Sequence, residues 1–145
     1  MDVNQEIARL VNELVDLARK EKLDAGYDNL TIANVRLMGH LFFAESPLTM
    51  REVASTIDVS LPSASVTVDR LEGIGLLVRQ HDKQDRRVVH VVLTNKSRKL
   101  IGEHIKKSTQ PLKDALNEFS DTEKEIVLRF FRAHVNAAYK QLEDS

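Results

Sequence analysis

The sequence predicts a mainly α-helical fold with one small β-hairpin, and three observations predict it. Apolar residues recur at helical spacing over most of the 145 residues. Ser/Thr-x-x-Glu pairs, the signature of a capped helix start, stand ahead of two of those runs. A single stretch, "LLVRQHDKQDRRVVHVVLT" from Leu76 to Thr94, turns β-branched on both sides of a charged loop.

In chain order, "VNQEIARLVNELVDLARKEK" carries an apolar stripe at Val3, Ile7, Leu10, Leu14 and Leu17, widened by Val11, Val15 and Ala18. Thr31 caps a second helix that runs through "IANVRLMGHLFFA" to a turn at Ser46-Pro47. Thr49 and Glu52 form a capping box, opening a short helix with Val53, Ala54 and Ile57 inside. "DVS" reads as a turn. Ser60 caps the next helix, whose first turn tolerates Pro62 because its backbone donors are free there, and Gly73–Gly75 end it. "LLVRQ" and "RVVHVVLT" read as the two strands of a hairpin. Helical spacing then returns at Leu100, Ile101, Ile105, Leu112, Ala115, Leu116 and Phe119, with a break expected at Pro111. Ser120 with Glu123 is the second capping box, ahead of a last helix bearing Ile126, Val127, Phe130, Phe131, Val135, Ala138 and Leu142. Two short helices joined by a tight turn and followed by a hairpin make a winged helix-turn-helix.

Composition narrows the function classes. Hydrophobic content of 42% and charged content of 30% suit a folded chain, and no apolar stretch reaches the ~20 residues of a membrane span. The start, "MDVNQEIARL", has neither a basic leader nor an apolar core, so the expected location is the cytoplasm. Absence of cysteine excludes disulfides, thiolate metal sites and thiol redox sensing. The net charge of −1 is uneven: residues 1–46 sum to −3, residues 47–98 to +2 and residues 99–145 to 0.

The basic middle segment carries the candidate chemistry. At ~100° per residue, Ala64, Val68, Leu71 and Gly75 share one inward face of the second short helix. Pro62, Ser63, Ser65, Val66, Asp69 and Arg70 lie outward or to the side. A helix end entering a DNA major groove needs short residues near base edges, donors for phosphates and apolar groups for thymine methyls. The candidate contacts are therefore Ser60, Pro62, Ser63, Ser65, Val66 and Arg70. On the helix alone, the ordinary preference of serine for helix starts explains as much. In the hairpin, Lys83, Arg86 and Arg87 add cations. Read as neighbours on a strand, Arg86 and Arg87 point to opposite faces: one enters a minor groove, the other pairs with Asp69, Asp82 or Asp85 and stiffens the loop. The competing reading is a solvated charged turn.

The stretch "LTMREVASTIDVSLPSASVTVDRLEGIGLLVRQHDKQDRRVVHVVLT" resembles the MarR family, the multiple-antibiotic-resistance type of transcription regulator. "DRLEGIGLL" and "DKQDRRVVHVVLT" are the most specific parts, and the helix order agrees over almost the whole chain. Departures are Val66, where the family often has a basic residue, and the region of Ser97, where it often has glycine. The resemblance implies a winged helix-turn-helix flanked by N- and C-terminal dimerisation helices. The boundaries are 1–30 for the first helix, 31–98 for the DNA-binding domain and 99–145 for the last helices, with the recognition helix about 61–74 and the wing about 76–94. It implies a homodimer on a pseudo-palindromic double-stranded operator, and the broad apolar faces of the terminal helices agree.

The resemblance further implies a repressor relieved by a small, phenolic effector bound between the dimerisation helices and the DNA-binding unit. Arg36 and His40 would supply charge and donor there, and Phe42, Phe43 and Met50 apolar walls. An aromatic pair near a helix end is more often core. The five histidines show no metal-binding spacing, so no metal or cofactor is expected. Two other classes compete. A winged-helix protein-interaction module without sequence-specific DNA binding would more often expose aromatics on its wing. An enzyme would need a phosphate loop, nucleophile elbow or acid/base pair that the chain lacks.

Overall fold

Residues 2–20 and 30–144 are described by the computed structural model, and they divide into two compact units, with the boundary between Lys107 and Ser108. In the first unit, α1 spans Val3–Lys20, α2 Ile32–Phe43, α3 Met50–Thr56 and α4 Leu61–Gly73. The expected continuation of the first helix through Glu21 and Lys22 lies outside the described residues. Strands β1 (Leu48–Thr49), β2 (Leu77–His81) and β3 (Val89–Leu93) form one antiparallel sheet in the order β1-β3-β2, and α5 follows at Asn95–Ser108. The hairpin register pairs Leu77 with Leu93 and His81 with Val89. The expected hairpin thus gains a third strand, in which Leu48 pairs with Val91 and Thr49 with His90.

Local chemistry sets the helix boundaries. Thr31 and Thr49 cap α2 and α3, each closing a reciprocal box with Asn34 and Glu52, and Ser60 caps α4 with Pro62 in its first turn. The turn between α3 and α4 is a Schellman closure: Val59 N donates to Ala54 O and Asp58 N to Ser55 O. Asp58 takes the left-handed conformation at φ 54°. Gly75, at φ 76°, closes α4 in the same way, with Leu76 N donating to Leu71 O and Gly75 N to Glu72 O.

One core holds α2 to α5 and the sheet together. Leu37, Met38, Val53, Ala64, Val68, Leu71, Leu76, Leu77 and Val91 are fully excluded from solvent, and Leu41, Ala54, Leu93 and Ile101 nearly so. Of the inward face predicted for α4, Ala64, Val68 and Leu71 are buried, whereas Gly75 is exposed, because it closes the helix in the left-handed conformation beyond Gly73. Burial of those three fixes the opposite face outward.

The expected break near Pro111 falls just before it, at Thr109: α6 spans Gln110–Leu116, with Pro111 in its first turn. Ser120 and Glu123 form the expected capping box on α7, Asp121–Glu143. Ile126, Phe130, Phe131, Val135, Tyr139 and Leu142 of α7 are exposed in the single chain. So are Val3, Ile7, Leu10, Leu14 and Leu17 of α1. No helix among the described residues is long and apolar enough to cross a membrane.

Candidate nucleic-acid interface

The outward face of α4 is built by what the inward face buries. With Ala64, Val68 and Leu71 in the core, Pro62, Ser63 and Val66 are exposed, and Val66 keeps 68% of its surface open. The cap region consumes much of its own polarity. Ser60 Oγ accepts from Ser63 N at 3.3 Å and donates to Ser63 Oγ at 3.0 Å. Thr67 Oγ1 donates back to Ser63 O at 3.1 Å.

Arg70, expected among the DNA contacts, is engaged within the fold. Its guanidinium donates to Asn34 Oδ1, and Asn34 is a buried residue of α2 that also closes the Thr31 capping box. The arginine therefore ties α4 to α2.

Arg79 on β2, which the sequence reading passes over, is the central cation between α4 and the wing. Its Nη1 lies 2.6 Å from Asp69 Oδ1 and 2.8 Å from Glu72 Oε2. Nη2 donates to Ser65 Oγ at 3.2 Å and to Ser65 O at 3.3 Å, while Arg79 N donates to Glu72 Oε1 at 3.1 Å. Burial works against the charge, but the hydrogen bonds to Asp69 and Glu72 outweigh it and raise the Arg79 pKa above its ordinary value. A signal for it exists in the chain: Asp69 and Glu72 stand three apart on one side of a helix, ahead of a strand with a single arginine.

The wing tip corrects the expectation for Arg86 and Arg87. They lie in a turn, not on a strand, and both are exposed without an ion pair among the described residues. Opposed strand faces therefore do not sort them into different tasks. Nor do Asp69, Asp82 and Asp85 hold an arginine side chain of the tip. Asp69 is bound to Arg79, and the other two hold backbone. Asp82 Oδ1 accepts from Gln84 N at 2.7 Å and Asp85 N at 2.9 Å, and Asp85 Oδ1 accepts from Arg87 N at 2.9 Å. Asp82 N donates to Val88 O and Val88 N to Asp85 O.

Two histidines complete the loop. His81 Nδ1 donates to Arg86 O at 3.0 Å, and His90 Nε2 donates to Asp82 Oδ2 at 3.1 Å. The backbone bonds from Asp85 and Gln84, then that from His90, hold the Asp82 carboxyl below its ordinary pKa. The result is a braced loop that leaves Lys83, Arg86 and Arg87 exposed to solvent.

A separate open depression of about 530 Å³ lies beside α2, lined by Arg36, Gly39, His40, Phe43, Ala44, Leu48 and Thr56. Arg36, His40 and Phe43 are among its lining residues, and Phe43 is 69% exposed. Phe42 and Met50 do not line it: both are half-buried against the core. Phe42 faces α5, with the Arg98 guanidinium 5.7 Å from its ring centroid and Gly102 alongside. Arg36 is itself held, since its Nη2 donates to Thr56 O at 2.8 Å where α3 ends. Among the described residues no cluster of three metal-ligating side chains occurs.

Known proteins are similar to this chain in sequence or in fold. Residues 43–89 match the profile of the MarR family. Over 97 residues the chain is 29% identical to the HTH-type transcriptional regulator YcgE of Bacillus subtilis, covering 67% of this chain and 63% of that one. The chain spans half to under two thirds of the lengths of the curated relatives it matches. Solved structures similar in fold include the following two. A mutant MepR from a multidrug-resistant clinical isolate of Staphylococcus aureus matches with TM-score 0.73 and 19% identity over 90% of this chain and 96% of that one. FabT of Streptococcus pneumoniae, solved in complex with DNA, matches with TM-score 0.65 and 22% identity over 98% of this chain and 96% of that one.

Proposed function

We propose that the chain, whose residues 43–89 match the MarR family profile, is a MarR-type, homodimeric, sequence-specific DNA-binding transcription regulator acting as a repressor. The carrying observation is the wing tip. Its backbone is fixed by two carboxylates and two histidines, and its cations are left to the solvent. Such a tip enters a minor groove with little ordering left to do. The outward face of α4 enters the adjoining major groove, its N-terminal dipole toward the phosphates. FabT, similar in fold, is solved in complex with DNA, and that likeness supports the docking.

A second copy of the chain covers the apolar side chains that α1 and α7 leave exposed. Two subunits then read a pseudo-palindrome, one recognition helix per half-site. Relief of repression falls to a small anionic effector in the depression that holds Arg36, His40 and Phe43. The protein works where its operator is, in the cytoplasm. The wing displays cations and carries no Phe, Tyr or Trp, which favours DNA over a protein partner.

Fluorescence anisotropy with duplexes from upstream of its own gene, against a scrambled duplex, tests the reading. The expected result is a preference of about 10³-fold or more for one native duplex, with one dimer bound per site. Equal, weak binding to native and scrambled duplexes alike overturns it.

A further inference from the structure

We propose that Val66 is the specificity-determining residue of α4 and that it reads thymine, through the 5-methyl group. The inference rests on the DNA-binding reading above. The side chains that read base edges by paired hydrogen bonds are Arg or Lys for guanine and Asn or Gln for adenine. From Leu61 to Gly73 the sequence "LPSASVTVDRLEG" contains no Lys, Asn, Gln or His, and one arginine. That arginine, Arg70, is turned to Asn34 on α2.

Other polar groups near the helix are committed as well. Arg79 is spent on Asp69, Glu72 and Ser65. The Asp69 carboxylate, which would otherwise accept from a cytosine amino group, is drawn to Arg79 at 2.6 Å. Thr67 uses its hydroxyl on Ser63 O. Ser63 keeps a donor, but a lone hydroxyl meets any base and discriminates little.

What remains at the crest of the helix is apolar. At ~100° per residue Pro62 and Val66 lie roughly opposite the buried Ala64, Val68 and Leu71. Val66 is 68% exposed there, although nothing in the fold requires an apolar residue at that position. A major-groove surface without paired donors but with a branched alkyl group complements one base feature, the thymine methyl. Burying one methyl against Val66 is worth about fourfold in affinity per half-site, or about fifteenfold for two.

The test is selection of the protein on a random duplex library, followed by single deoxyuridine-for-thymidine replacements in the enriched duplex. The expected result is an enriched palindrome with a thymine in each half-site whose replacement by deoxyuridine weakens binding about fourfold. In Val66→Ala, which changes an exposed side chain and leaves the core intact, the thymine and deoxyuridine duplexes should bind alike. Val66→Arg should move the enriched base from thymine to guanine. An enriched site indifferent to every deoxyuridine replacement, or one whose deoxyuridine penalty survives in Val66→Ala, overturns the inference and leaves the DNA-binding reading standing. Enrichment of no sequence overturns both.

Discussion

Arg79 of β2 and Asp69 of α4 are joined at 2.6 Å, and the same guanidinium reaches Glu72 one turn further along α4. The helix proposed to meet base edges and the hairpin proposed to meet phosphate are thereby locked at one angle. Arg79 also offsets one of the two carboxylate charges, Asp69 and Glu72, on the helix proposed to meet DNA. Arg79 keeps only 25% of its side chain exposed, so its loss leaves Asp69 and Glu72 without their partner at a partly desolvated site.

Arg79→Ala should therefore reduce DNA affinity by about tenfold or more, while costing about 1 kcal/mol of stability by chemical denaturation. Arg79→Lys should recover only part of the affinity, because an ammonium cannot hold Asp69, Glu72 and Ser65 in one plane. Full affinity in Arg79→Ala would remove the coupling role.

The turn between α3 and α4 depends on Asp58 at φ 54°. A β-branched residue there meets the left-handed penalty in full, so Asp58→Val should destabilise by about 1–2 kcal/mol. Asp58→Gly should melt within about two degrees of wild type, or above it. An Asp58→Val protein as stable as wild type would show that the turn relaxes elsewhere.

Asp82 gives the wing a dependence on acid. Its folded pKa lies below the ordinary 3.8, so the loop gains stability from it above that value and loses it as pH falls through the lower, folded pKa. Carboxyl carbon chemical shifts should show Asp82 titrating below pH 3.8 in the wild type. In Asp82→Asn, backbone amides of Gln84 and Asp85 should exchange faster at neutral pH. A titration of Asp82 at or above 3.8 would contradict the bracing bonds.

Thr49 closes the capping box of α3 and belongs to β1. Thr49→Ala should cost about 1 kcal/mol, or about 2–4 °C in Tm for a chain of this size. No change in Tm by calorimetry would mean that β1 pairing alone sets the helix start.

What is legible in the sequence, and what is not, divides by the range of the interaction. Thr49 with Glu52, Ser120 with Glu123 and the Ala64, Val68 and Leu71 face are set within a turn or two of chain, and local pattern reveals them. β1 is only two residues long and exists because β3 offers it an edge, so no periodicity announces it. The strand reading of Arg86 and Arg87 follows the β-branched run too far. The Asp82 and Asp85 side chains bond backbone N–H groups two and three residues on and turn the chain first. The partners of Arg79 are only hinted at, by Asp69 and Glu72 three apart, and that of Arg70 is not signalled at all. Both arginines have partners on other elements, and only the fold brings Asn34 to Arg70 and Asp69 to Arg79. Phe42 and Phe43 are adjacent, and helix geometry sends one toward α5 and the other outward.

The proposed function turns on whether the exposed guanidiniums of the wing tip meet DNA. Salt dependence of affinity for an enriched duplex decides it, comparing wild type with the Arg86→Ala, Arg87→Ala double variant and measuring thermal stability in parallel. The Tm should be unchanged, since neither side chain makes an ion pair among the described residues. The log–log salt slope of the variant should be shallower by about three to four units, because four arginines per dimer no longer neutralise phosphates at about 0.9 each. Equal slopes and equal affinities in the two proteins would contradict a DNA-binding wing.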